Sequence, residues 1–220
     1  QINHTLTFLH SIHRIVPYAM SNRPSLLRDR RFLPMFLTQF SGALNDNVYK
    51  QALLLVITYG LIAQQSAQIS TLNNLAALLF ILPYFIFSAT AGQIADKYER
   101  AQLVRYLKAA EIVIMLLGTA GFLLGNLWLL LLALFLMGTQ STFFGPIKYA
   151  ILPEVLKSDE LMSGNALFQS GTSIAILVGM ILGGSMIALS DGNLMWVSGT
   201  VLCLASLGYL ASRFILKQNI

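Results

Sequence analysis

Charge is what this sequence has least of. Of 220 residues, only 23 are Asp, Glu, Lys or Arg, or 10%. An ordinary soluble domain carries roughly 25%. A soluble enzyme, a nucleic-acid binder and a disordered segment all need more polar surface than this. The net charge of +5 does not point to nucleic acid, because the cations are dispersed between apolar runs rather than gathered in one patch. There is one cysteine, Cys203, so no internal disulfide framework exists. The three histidines, His4, His10 and His13, lie together near the N-terminus without an acidic or thiol partner, and no metal site is expected. No Ser-His-Asp set and no glycine-rich phosphate loop is present, so no enzymatic chemistry and no cofactor are expected.

What remains is hydrophobic: 56% of the chain. A bilayer core of about 30 Å takes about 20 apolar residues as helix. Six stretches qualify, near Phe32–Ala63, Leu72–Ile94, Leu103–Leu124, Leu127–Phe144, Ala166–Leu189 and Leu194–Phe214. They are continuous rather than alternating, which excludes a β-barrel and predicts an all-α membrane protein.

Lys and Arg alternate between the connections. Arg14, Arg23, Arg28, Arg30 and Arg31 precede the first span. Lys97, Arg100 and Arg105 follow the second, Lys148 and Lys157 the fourth, and Arg213 and Lys217 the sixth. The other three connections, Gln64 to Thr71, Gly125-Asn126 and Asp191 to Asn193, have none. The positive-inside rule therefore places both termini in the cytoplasm. Trp128 and Trp196 fall near the opposite ends, where aromatic belts form.

Met20-Ser21 reads as a start, which makes residues 1–19 upstream or non-native sequence. The alternative is an interfacial segment with Phe8, Leu9 and Ile12 toward lipid. No signal-peptide pattern occurs there. Residues 20–31 read as a basic cytoplasmic N-terminus, 32–214 as the six-helix unit, and 215–220 as the beginning of a cytoplasmic linker.

Ionisable residues inside a span are costly and mark cavities or pairs. The first span carries Asn45, Asp46, Asn47 and Lys50. Asp46 and Lys50, four apart, share a helix face and can pair. They read either as a self-satisfied pair or as a wall that binds a polar headgroup or a coupling ion. In the third span, Glu111 pairs with Lys108 or lines a pathway, while Lys108 snorkels to the interface. After Phe144, Pro146 is expected to bend or end the helix. Lys148 and Tyr149 would then lie at the cytoplasmic mouth, as interface anchors or as a site for an anionic group. Gly171, Ala175, Gly179 and Gly183 are spaced by four and form a packing ridge. Ser158-Asp159-Glu160 reads as the start of the fifth helix. Cys203 and the span methionines read as packing filler.

Gly92-Gln93-Ile94-Ala95-Asp96-Lys97-Tyr98-Glu99-Arg100 resembles the signature loop of the major facilitator superfamily, with Glu99 where glycine is usual. The loop falls between spans 2 and 3, as in that superfamily. The resemblance implies one half of a twelve-helix fold, built as an inverted three-plus-three repeat, with Gly92, Asp96, Lys97 and Arg100 in a gating cluster. Gly42 to Asn47, Pro146 to Glu154 and Gly164-Asn165 further resemble the bacterial lysophospholipid transporter family. This resemblance implies alternating-access transport of lysophospholipid across the bacterial inner membrane, with Asn45, Asp46, Asn47, Lys50, Glu111, Lys148 and Tyr149 as the candidate substrate site. It also implies a C-terminal six-helix half and, in some relatives, a fused acyltransferase. The superfamily's span-4 arginine and its antiporter proline have no counterpart here, so neither a span-4 proton relay nor antiport is expected. The rival readings are a facilitator for another solute and a non-transporting anchor for a lipid enzyme. A six-helix half was expected to be marginal alone, with Asp96 and the span-5 ridge lacking partners.

Overall fold

The computed structural model describes residues 26–60, 66–189 and 193–216. Residues 1–19, with their three histidines, lie outside the described residues. A single 3₁₀ turn at Leu26–Arg28 leads into six helices: α1 (Leu33–Thr58), α2 (Ser66–Lys97), α3 (Arg100–Leu124), α4 (Leu127–Val155), α5 (Leu161–Leu189) and α6 (Met195–Arg213). There is no strand among the described residues. In lipid, a helix is the open-ended element that satisfies its own backbone, so apolar runs of this length have little other choice. Five helices, α2 to α6, are long and apolar enough to cross a membrane. α1 has the length, 26 residues, but carries the polar cluster in its middle.

The helix ends are written in local chemistry. Glu99, at the position where glycine was expected, is the N-cap of α3 and accepts from the Ala101 and Gln102 N–H groups. Asn126 does the same for α4, through Trp128 and Leu129. Between them Gly125 takes φ +60°, which closes α3 in the left-handed region. Glu160 accepts from the Lys157 N–H just before α5. Asp29 accepts from the backbone N–H and the guanidinium of Arg31 at the approach to α1. That guanidinium holds the Asp29 carboxyl below its ordinary value.

The expected break at Pro146 does not occur. Pro146 and Pro153 both lie inside α4, which continues eleven residues beyond Phe144. Packing supports the helix across the lost hydrogen bonds: Ile147, Ile151 and Leu152 are buried. Pro83 likewise lies inside α2.

The helices interlock. α1 packs mainly on α5 and α6, α4 mainly on α2 and α3, and α3 meets α6. Exchanging 1 with 4, 2 with 5 and 3 with 6 maps this pairing onto itself. That is the signature of an inverted repeat of two three-helix units. Close approach at the two main seams depends on glycine. A Cβ on Gly179 would lie 2.7 Å from the Leu44 carbonyl oxygen, and one on Gly183 would lie 2.6 Å from that of Val48. Gly138 of α4 similarly abuts the Phe80 carbonyl of α2. The ridge of Gly171, Ala175, Gly179 and Gly183 is therefore buried against α1 of the same chain. The expectation that it lacks a partner is corrected.

Two apolar cores result. One surrounds Tyr49, Leu53, Met115, Leu130 and Val201. The other surrounds Phe32, Val104, Ile147 and Phe168. Arg105 secures the second end of the bundle, donating at 2.9 Å to the Ile215 carbonyl just past α6. Cys203 is exposed and fills no core position.

Candidate functional site

Between the two cores lies a polar layer. Lys108 Nζ of α3 donates to Glu111 Oε2 at 2.6 Å. Asn45 Nδ2 of α1 donates to the other carboxylate oxygen at 3.0 Å. Gln140 Nε2 of α4 reaches Oε2 at 3.3 Å. Both members of the ion pair are 2% exposed. Lys108 does not snorkel to the interface, as its sequence position suggested. Gly42 and Gly208 leave the space that its side chain occupies, and its ammonium lies 5.4 Å from the centre of the Phe144 ring. Two bare glycine surfaces leave room for the ammonium inside, and the adjacent carboxylate compensates its buried charge.

A cavity of about 220 Å³ opens beside this layer. α1 lines it with Gln39, Asp46, Asn47 and Lys50, α2 with Phe80 and Tyr84, α3 with Lys108 and Glu111, α4 with Gln140, Ser141, Phe144 and Lys148, and α5 with Thr172 and Ile176. Five helices thus converge on one space.

Asp46 and Lys50 do not form the ion pair that their spacing allows. Ser141 Oγ donates to Asp46 Oδ2 at 2.9 Å, while Asp46 Oδ1 is shielded from solvent and has no hydrogen-bond partner. Lys50 instead turns its ammonium over the Phe80 ring, 4.3 Å from the centroid. A cation over an aromatic face is held without a counter-ion. Lys148 also lines the cavity, with its ammonium 5.0 Å from the centre of the Tyr149 ring.

The candidate residues sort into three groups. Asp46, Asn47, Lys50, Glu111 and Lys148 are on the cavity wall. Asn45 is fully buried behind it, bonded to Glu111. Tyr149 is 54% exposed and is not among the residues of the wall. The fold adds Gln39, Phe80, Tyr84, Gln140, Ser141, Phe144 and Thr172, which the sequence reading passed over. Polar residues in apolar runs were the available signal for Gln39, Gln140, Ser141 and Thr172. Gln39 Nε2 donates to Thr172 Oγ1 at 3.1 Å, bridging α1 and α5.

At the end of the bundle holding the 2–3 connection, the expected Asp96–Arg100 cluster does not assemble. Arg100 forms its ion pair with Glu154 near the end of α4. Asp96 is exposed and makes no ion pair among the described residues. Lys97 lies 5.6 Å from the Tyr98 ring centre, and Gly92 has no neighbour where a Cβ would stand.

An interlocked pair of three-helix units around a charged cavity at mid-depth is the architecture of a secondary transporter half. The chain belongs to the Major Facilitator Superfamily, whose profile matches residues 35–218. It is 30% identical over 170 residues to a lysophospholipid transporter LplT of Photorhabdus laumondii, covering 76% of this chain and 38% of that protein. It is 27% identical over 199 residues to the LplT of Yersinia pestis, covering 89% of this chain and 44% of that protein. The chain thus spans less than half the length of these curated relatives. It is a multi-pass membrane protein of a transporter family.

Proposed function

We propose that this chain forms the N-terminal six-helix half of a lysophospholipid transporter of the bacterial inner membrane, with both termini cytoplasmic and a second half completing the cavity. The observation that carries this reading is the charge left over in the cavity. Lys108 and Glu111 neutralise one another. Lys50, Lys148 and Asp46 remain, none with an ion pair among the described residues. Two ammonium groups and one half-satisfied carboxylate suit a lysolipid headgroup that combines a phosphate with an amine or hydroxyl. Lysines bind phosphate as compact point charges, and the free Asp46 oxygen accepts from the amine or hydroxyl. The two relatives whose names specify lysophospholipid favour this solute over others. Alternating access would rock this half against the second, with Gly92, Asp96, Lys97 and Arg100 at the gate. An acyltransferase that re-acylates the imported lipid is the natural partner, fused or separate.

Uptake of labelled lysophosphatidylethanolamine by spheroplasts expressing the full-length gene tests this. Loss of one charge-assisted hydrogen bond costs about 1.5–3 kcal/mol. Lys148→Ala should therefore weaken apparent affinity roughly 10- to 150-fold, and Asp46→Ala should act similarly. Full uptake by both variants at normal expression would refute the site. Equal competition by unrelated solutes would refute the substrate.

A further inference from the structure

Lys50 and Phe80 belong to two spaces at once. On one side is the polar cavity just described. On the other is a second pocket, of about 190 Å³, between α1, α2 and α4. Leu53, Leu54, Ala76, Ala77, Ile81 and Leu134 complete it, so Lys50 is its one polar residue. The pocket therefore adjoins the polar cavity, with the aliphatic stem of Lys50 and the Phe80 ring as the shared wall.

We propose that this apolar pocket holds the glycerol-proximal part of a single acyl chain whose phosphorylated headgroup lies in the polar cavity. The inference rests on the lysophospholipid reading and assigns the chain a place within it. Three observations support that occupant. The two spaces adjoin across Lys50 and Phe80, and one is lined by charged groups while the other is lined by hydrocarbon. The Lys50 ammonium stands at their junction, where the phosphate of an amphiphile meets its tail. The pocket also runs only about 7.5 Å along α2, from Ala76 to Ile81, by helical rise. Ala77, on the far side of Phe80 from the polar cavity, is exposed. A longer chain would leave past it and finish in the bilayer.

Direction follows from the helices. Leu53 and Leu54 lie beyond Lys50 toward the α1 C-terminus, and Ala76 and Ala77 lie on the same side of Phe80 in the antiparallel α2. The tail thus points toward the α1 C-terminal end and the headgroup toward the α1 N-terminal end. With the N-terminus cytoplasmic, a lipid so held is already oriented as in the inner leaflet. Lipid tails are as apolar as leucine, so the pocket contributes little net driving force. Its role is to fix where the chain goes, and the test must read position.

A lysophosphatidylethanolamine carrying a photoreactive diazirine near the glycerol end of its chain would be irradiated with the full-length protein in proteoliposomes. Labelled residues would be read by mass spectrometry. Labelling should concentrate on Leu53, Leu54, Ala77 and Ile81 and be displaced by unlabelled lysolipid. Ala77→Trp, at an exposed helical position, should abolish it while the protein stays monodisperse. Labelling spread equally onto outward-facing Val113, Leu116 and Leu132 would overturn the assignment, as would labelling unchanged by Ala77→Trp. Uptake measured on the same protein separates the two claims. Uptake without pocket labelling refutes the pocket alone. Displaceable pocket labelling without uptake refutes transport and leaves the pocket as a chain site. Absence of both refutes both.

Discussion

At the scale of single residues, Lys108 and Glu111 set the terms for the whole centre. Both side chains are all but fully buried, so each depends on the other. Removing one partner of a buried pair costs roughly 3–5 kcal/mol, because the remaining charge is left uncompensated. Lys108→Met and Glu111→Gln should each lower thermal stability in detergent sharply. The double variant should recover much of the loss, since it buries no net charge. If the double variant is as unstable as the sum of the singles, the pair is not what holds this layer. The polar character of these positions was legible in the sequence, because an acid and a base in an apolar run are hard to overlook. Their destination was not. Lys108 is eight residues into α3, close enough to the helix start to snorkel, and Gly42 and Gly208, 66 and 100 residues away, make the room that draws it inward. The same holds for Asp46. Its spacing to Lys50 is local and visible, but Ser141, 95 residues later, supplies the hydrogen bond it makes.

At the scale of helices, the seam between α1 and α5 is the most demanding contact. A side chain on Gly179 meets backbone, which cannot yield as a flexible side chain can. Overpacking of this kind costs about 1–3 kcal/mol. Gly179→Val should therefore destabilise the protein and displace α1, and with it Asp46 and Lys50. Gly199 in α6 has no neighbour within 4 Å of a Cβ. Gly199→Ala should be neutral or stabilising by about 0.5–1 kcal/mol, from helix propensity. Melting temperatures of the two variants decide this, and equal effects would refute the seam. Spans were readable because hydropathy depends on neighbours in sequence, and Gly125-Asn126 was readable as the connection between two of them. The small-residue ridge was readable as a packing surface. What it packs against was not, because spacing on one helix carries no information about which other helix fits it. The continuation of α4 past Pro146 was likewise hidden. Sequence shows the lost N–H, and only the packed bundle shows the support.

At the scale of the molecule, the charges at the 2–3 connection differ in how they are committed. Arg100 already bridges α3 and α4 through Glu154, whereas Asp96 makes no ion pair among the described residues. Asp96→Asn should leave the thermal stability of the six-helix unit within about 0.5 kcal/mol of the parent, the usual range for an exposed position without partners. In the full-length transporter the same substitution should reduce uptake. A stability loss in the isolated half would show instead that Asp96 is a structural anchor.

The exchange of partners between the two three-helix units also has a consequence in time. α1 is made first, yet its largest surface awaits helices made last: Gln39 bonds to Thr172, 133 residues later. At about 5–20 residues per second, synthesis alone separates them by roughly 7–27 s. Through that interval α1 sits in or near the membrane with Asn45, Asp46, Asn47 and Lys50 uncovered. Lys50 meets its Phe80 ring 30 residues later, and Asn45 meets Glu111 66 residues later. Neither three-helix unit has a finished interior of its own, because each lends its first helix to the other. α2, α3 and α4 can pack on one another as they emerge, whereas α1 waits for α5 and α6 to cover its main face.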